Sequence, residues 1–95
     1  DLNYCQNGKE IWIELKSIQG NKSQLSPFQI AWIHNRAKAG GNCYVLIRKN
    51  KEIRLFQPKT LEELQELNWN SEPAIGTTAP YDWGHLFSSI YHSAK

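Results

Sequence analysis

Cys43-Tyr44-Val45-Leu46-Ile47 is apolar without a break, between Gly40-Gly41 on one side and Arg48-Lys49-Asn50 on the other. A run of this length with no polar alternation is the mark of a strand buried on both faces. Such a strand lies inside a sheet, and the sheet needs a helix on at least one face. Whatever surrounds these five residues must supply that cover.

The flanking sequence does so. Ser26-Pro27-Phe28-Gln29 holds several helix-start signals at once: Ser26 at the N-cap, Pro27 at the first helical position and Gln29 at the third position of a capping box. The helix is expected to run to Ala39, with Ile30, Ile33 and Ala37 on one stripe and Gly40-Gly41 as its stop. Upstream, Gln6-Asn7-Gly8-Lys9 predicts a hairpin turn joining strands over residues 2–5 and 10–16. In the second of these, Ile11, Ile13 and Leu15 share the face expected to meet the core, while Trp12, Glu14 and Lys16 share the other. Downstream, Lys49-Asn50-Lys51 turns the chain into Ile53-Arg54-Leu55-Phe56, read as a strand nearer the edge. Thr60-Leu61-Glu62-Glu63 is a second capping box, opening a short helix to about Leu67. Residues 68–81 read as irregular, and Asp82 caps a last helix through Ile90 and Tyr91. The order β-β-α-β-β-α-α predicts a single α/β domain. It has a mixed central sheet with flanking helices, a core over residues 1–56 and a helical part over 57–95.

Composition removes several classes. At 95 residues, 40% apolar and with eleven aromatics, the chain is not intrinsically disordered. No apolar run approaches the roughly 18–20 residues of a membrane span, and no secretory signal is expected from the opening residues, which lack a charged segment followed by an apolar one. Cys5 and Cys43 lack zinc-ligand spacing and are too few for a disulfide framework, so an intracellular, cytoplasmic protein with free thiols is expected. Eleven Lys and Arg against nine Asp and Glu leave +2, which excludes polyanion binding by bulk charge. Any nucleic-acid contact must be local. There is no methionine, so the chain is read as beginning within a longer open reading frame.

One constellation carries chemistry. Residues two apart on a strand point the same way, so the Glu14 carboxylate and the Lys16 ammonium stand side by side about 7 Å apart. The neighbouring strand begins with Asp1. Two carboxylates converging from adjacent strands make a hard-oxygen site for Mg²⁺ or Mn²⁺. A lysine beside them can orient a water or hold a phosphate oxygen. By themselves Glu14 and Lys16 are equally the residues of a solvated, ion-paired strand face.

The pattern Asp1 … Ile11-Trp12-Ile13-Glu14-Leu15-Lys16, then Leu25-Ser26-Pro27-Phe28-Gln29, then Ala39-Gly40-Gly41-x-x-Tyr44-Val45-Leu46, resembles the PD-(D/E)xK nuclease superfamily. Its nearest branch is that of the VRR-NUC-like and phage Holliday-junction-resolvase-like proteins. The likeness covers roughly residues 1–56. It implies a restriction-endonuclease-like core lacking its first helix and strand, and Mg²⁺-dependent endonucleolytic cleavage of DNA, branched or junction DNA included. By the same resemblance Asp1, Glu14 and the backbone carbonyl of Leu15 hold the metal, and Lys16 positions the attacking water. Gln29 orients Lys16 or touches DNA, although its capping role alone explains it.

Arg48, Lys49, Lys51 and Arg54 bracket one hairpin as the densest basic patch, either a solvated turn or an edge that tracks phosphates. Partners are therefore expected to be DNA and, for an enzyme cutting two strands, a second copy of the chain. His34, His85 and His92 read as surface or packing residues, and the four tryptophans as packing, with Trp12 the exception because it shares the face of Glu14. The alternative is a non-catalytic DNA-binding or interaction domain on the same fold.

Overall fold

The computed structural model describes residues 2–6, 9–73, 75–78 and 83–93. Two antiparallel strands, β1 (Leu2–Gln6) and β2 (Lys9–Ser17), lead into helix α1 (Pro27–Lys38). Then come β3 (Asn42–Lys49), β4 (Glu52–Phe56), the short helix α2 (Leu61–Gln65), β5 (Ile75–Thr78) and α3 (Trp83–Ser93). The five strands form one sheet in the order β1-β2-β3-β4-β5. Among the described strands only β2 and β3 run parallel; the other neighbours are antiparallel. A parallel pair cannot be closed by a tight turn, so the chain must leave the sheet and return. Helix α1 is that crossover.

The ends of α1 follow from the residues there. Ser26 Oγ accepts from Gln29 N at 3.1 Å, and Ser26 N donates to Gln29 Oε1 at 2.9 Å, a complete capping box. At the other end Gly41 N donates to Arg36 O at 2.9 Å and Gly40 N to Ala37 O at 3.1 Å, the two bonds of a Schellman motif. Gly40 takes φ +96°, which a side chain would resist. Ile33 is buried, and Ile30 and Ala37 pack against the same cluster, so the apolar stripe sits where its spacing places it.

The central strand organises both layers. Cys43, Val45 and Ile47 of β3 join Ile18, Ile33, Phe56 and Leu64 on the α1 and α2 side. Tyr44 joins Ile11, Ile13, Ile53 and Leu55 beneath Leu86 and Ile90 of α3. Burial of the apolar run on both faces is thus met by helices on both faces.

Four local expectations give way. Residues 75–78 are not irregular but form β5, paired antiparallel with β4 from Leu55↔Ile75 to Glu52↔Thr78. Ile-Gly-Thr-Thr has too little apolar alternation to announce a strand, and it is recruited by the open hydrogen-bonding edge of β4. In consequence β4 is an interior strand rather than an edge, and the part after Phe56 adds a strand as well as helices. Leu15 does not join Ile11 and Ile13 in the core: it is 43% exposed, beyond the cluster that α3 covers. Asp82, expected to cap α3, and the turn residues Asn7 and Gly8 lie outside the described residues, as does Asp1.

Candidate functional site

Glu14 lies on β2 opposite Val45 of β3, on the face that α1 covers. The expectation that only the Ile11, Ile13 and Leu15 face of β2 meets the core therefore gives way: the parallel crossover seats α1 over the Glu14 face as well. It is 8% exposed, an unusual position for a carboxylate, and needs a partner there. Gln29 supplies it: Gln29 Nε2 donates to Glu14 Oε1 at 2.7 Å. The carbonyl end of the same amide is already committed to the α1 cap. One side chain therefore closes the helix start and fixes a carboxylate on the adjacent strand. The expectation that Gln29 orients Lys16 is replaced by this contact, because the cap points the amide nitrogen toward β2 at Glu14.

Lys16 is two residues further along the same face, opposite Ile47 and half-buried. Among the described residues its ammonium makes no hydrogen bond or ion pair, and Glu14 and Lys16 do not pair with each other. Leu15 stands between them in the ladder opposite Leu46, with an exposed side chain. Asp1 precedes Leu2, whose ladder partner is Ile13, the residue before Glu14. Among the described residues no three His, Cys, Asp or Glu side chains come together as a metal centre. A carboxylate such as that of Glu14 is the donor type that hard divalent cations take, but one donor does not make a site.

The basic hairpin does not present its cations on one face. Ladder register places Lys49 and Arg54 on the α1 side of the sheet and Arg48 on the α3 side. Arg54 is committed within the fold: Nε donates to Glu52 Oε2 at 2.7 Å, an Nη to Trp69 O at 2.8 Å, and the guanidinium stacks 4.2 Å from the Trp69 ring centre. Lys49 Nζ donates to Asn21 Oδ1 at 2.8 Å, and Arg48 Nε donates to Asn50 O at the turn. Asn50 holds φ +56° there. Lys51 is exposed and makes no such bond. As a phosphate-tracking edge, the hairpin therefore offers Lys51 and the partly engaged Lys49 and Arg48, while Arg54 is a structural residue.

Trp12 is not a free platform beside Glu14. Its ring meets Trp32 of α1 edge to face, with centres 4.9 Å apart, and its indole N–H donates to Glu10. The Arg36 guanidinium lies 4.7 Å from the Trp12 ring centre and 5.5 Å from that of Trp32. A cleft of about 90 Å³ opens under this cluster, between Glu14, Trp12, Trp32 and Cys43. The sequence reading missed the cluster, although the four-residue spacing of Trp32 and Arg36 was its signal. A larger cleft of about 730 Å³ lies elsewhere, between the end of β4 and α2, lined by Glu63, Glu66 and Glu72 with Lys59. Burial pushes the Cys43 thiol above its ordinary range, opposed by Arg36 and reinforced by Glu10.

No family model matches the chain, and no curated protein or solved structure is significantly similar to it. Its α/β architecture and its site rest on the geometry alone. Among the described residues no helix is long and apolar enough to cross a membrane.

Proposed function

We propose that this domain is a divalent-cation-dependent endonuclease of PD-(D/E)xK type, hydrolysing DNA phosphodiesters, with Glu14 as metal ligand and Lys16 beside the reacting phosphate. The observation that carries the reading is the Gln29–Glu14 hydrogen bond. It fixes a carboxylate on the strand that also presents an uncommitted lysine. The antiparallel β1–β2 hairpin followed by α1, with Glu-x-Lys on β2 and Gln29 in the helix, is the order the resemblance implies. Glu14, Asp1 and the carbonyl of Leu15 are the oxygens that would hold Mg²⁺ or Mn²⁺. The cation supplies Lewis acidity and an activated water when bound. Lys16 contributes a positive charge where charge accumulates on the non-bridging oxygens, an interaction stronger in the transition state than in the ground state.

Mg²⁺ titration calorimetry together with cleavage of a labelled four-way junction tests this. Lys16→Ala abolishes most cleavage and leaves Mg²⁺ affinity equal or slightly higher, because a like charge is removed from beside the cation. Glu14→Ala weakens Mg²⁺ binding and loses cleavage with it. Cleavage by Lys16→Ala at the parent's rate would make Lys16 a surface lysine and overturn the assignment.

A second reading, a non-catalytic DNA-binding or interaction domain on the same fold, draws on a different observation. Among the described residues no three metal-ligating side chains meet. DNA binding that is unchanged by EDTA, with no cleavage in Mg²⁺ or Mn²⁺, would favour it.

A further inference from the structure

Phe28, Trp32 and Arg36 stand four residues apart on α1 and so form one line along its outer surface. Core packing does not explain this line, since the core stripe of the helix is Ile30, Ile33 and Ala37. Phe28 is 79% exposed and Trp32 36% exposed. Trp32 is nonetheless held in place by its edge contact with Trp12 and by Arg36. The result is one projecting ring, one fixed ring and a cation, in sequence along a helix.

Charge narrows what could cover them. Helix α1 carries Arg36 and Lys38 in its last turn and no acidic residue. Arg36 makes no ion pair among the described residues, and the nearby Glu10 carboxylate is engaged by the Trp12 indole. A second exposed aromatic pair, Trp83 and Phe87 on α3 with ring centres 6.3 Å apart, lies on a helix with no Lys or Arg. The α1 line thus differs from an ordinary apolar patch in pairing π-faces with positive charge, the two features that single-stranded nucleic acid requires.

We propose that Phe28, Trp32 and Arg36 are a stacking track for the unpaired bases of single-stranded DNA. In a continuous duplex each base face is covered by its neighbours and offers these rings nothing to stack on. An unpaired base offers its face to Phe28 and Trp32, and its phosphate to Arg36. The track lies beside the proposed nuclease site, because Phe28 immediately precedes Gln29, which holds Glu14. It rests on that reading only for its consequence, preference for a substrate with an unpaired segment. Binding itself needs neither metal nor cleavage.

Fluorescence anisotropy in EDTA tests the track with three labelled probes of equal phosphate number: oligo-dT, a blunt duplex and an abasic strand. The parent binds oligo-dT more tightly than either of the others. Phe28→Ala loses about tenfold in oligo-dT affinity, the scale of one lost base stack, with duplex affinity and melting midpoint unchanged. Arg36→Gln makes oligo-dT binding less dependent on salt. Equal affinity for the three probes, or unchanged oligo-dT affinity in Phe28→Ala, overturns the proposal. So does competition by polyglutamate as effective as that by oligo-dT, which would make this a surface for an acidic protein. Because the measurement excludes metal, its failure leaves the nuclease reading standing, and loss of cleavage in Lys16→Ala leaves the track standing.

Discussion

The side-chain amide of Gln29 joins two elements: its nitrogen donates to Glu14 Oε1 at 2.7 Å while its oxygen accepts from the backbone of Ser26 at 2.9 Å. The start of α1 and the position of the β2 carboxylate are consequently one structural unit. Ser26→Ala removes only the cap and is expected to cost about 0.5–2 kcal/mol. Gln29→Ala removes the reciprocal half of the cap and also strands a buried carboxylate, adding about 1–3 kcal/mol. Glu14→Ala should therefore cost less in a Gln29→Ala background than in the parent. Urea unfolding of the four proteins of this cycle measures the coupling; additivity within about 0.3–0.5 kcal/mol would show that the bond contributes nothing.

The stop of α1 is equally specific. A Cβ at Gly41 would meet the Arg36 carbonyl oxygen at 2.9 Å, and a Cβ at Gly40 would meet open space but at φ +96°. Gly41→Ala must shift backbone and is expected to cost about 1–3 kcal/mol. Gly40→Ala, strained in dihedral alone, costs about 1 kcal/mol. Thermal melts rank the two, and the opposite order would mean that the chain relaxes around position 41.

Arg54 and Lys51 separate fold from function on one hairpin. Arg54 bonds Glu52 on its own strand and the Trp69 carbonyl in the turn after α2, so Arg54→Ala should lose about 1–3 kcal/mol of stability. Lys51→Ala should leave stability within about 0.5 kcal/mol and, if the hairpin tracks phosphates, reduce the salt dependence of DNA binding. An exchange of these phenotypes would reverse the assignment.

Cys43 sets an alkaline limit. Burial raises its thiol above the ordinary value of 9.0, so the folded chain keeps that proton to higher pH than the unfolded chain. Stability from this group is intact below the ordinary value and falls as pH rises above it, because the unfolded state then loses its proton first. Urea unfolding between about pH 8 and pH 10 should show a steeper decline for the parent than for Cys43→Ala. Identical slopes would show that the thiol titrates alike in both states. Native alkylation of Cys43 should likewise be slow, and rapid in denaturant.

The features legible in the sequence are those whose causes lie within a few residues. Ser26, Pro27 and Gln29 specify a helix start, and Gly40 and Gly41 a helix stop, through bonds spanning three to five positions. Thr60 and Glu63 do the same for α2, where Thr60 Oγ1 accepts from Glu63 N at 3.1 Å. The side-by-side placement of Glu14 and Lys16 follows from strand pleat alone. By contrast, that Glu14 is buried and bound by a residue fifteen positions away could not be read from either segment. Nor could the loss of Arg54 from the basic patch, since its partner Trp69 is also fifteen positions distant.

By itself the sequence determined the caps, most of the hydrophobic periods and the need to bury Cys43–Ile47 inside a sheet with a helix on at least one face, because local hydrogen bonding and apolar spacing carry their own signal. Only the tertiary structure decided that Ile75–Thr78 completes the sheet, that Leu15 lies beyond the cover of α3, and that Gln29 turns to Glu14 rather than to Lys16. The reason is physical. A strand edge presents the same alternating N–H and C=O groups whatever its side chains, and an amide bonds to whichever polar group the packed helix brings within 3 Å. Those choices are settled by which surfaces meet once the helices are seated on the sheet.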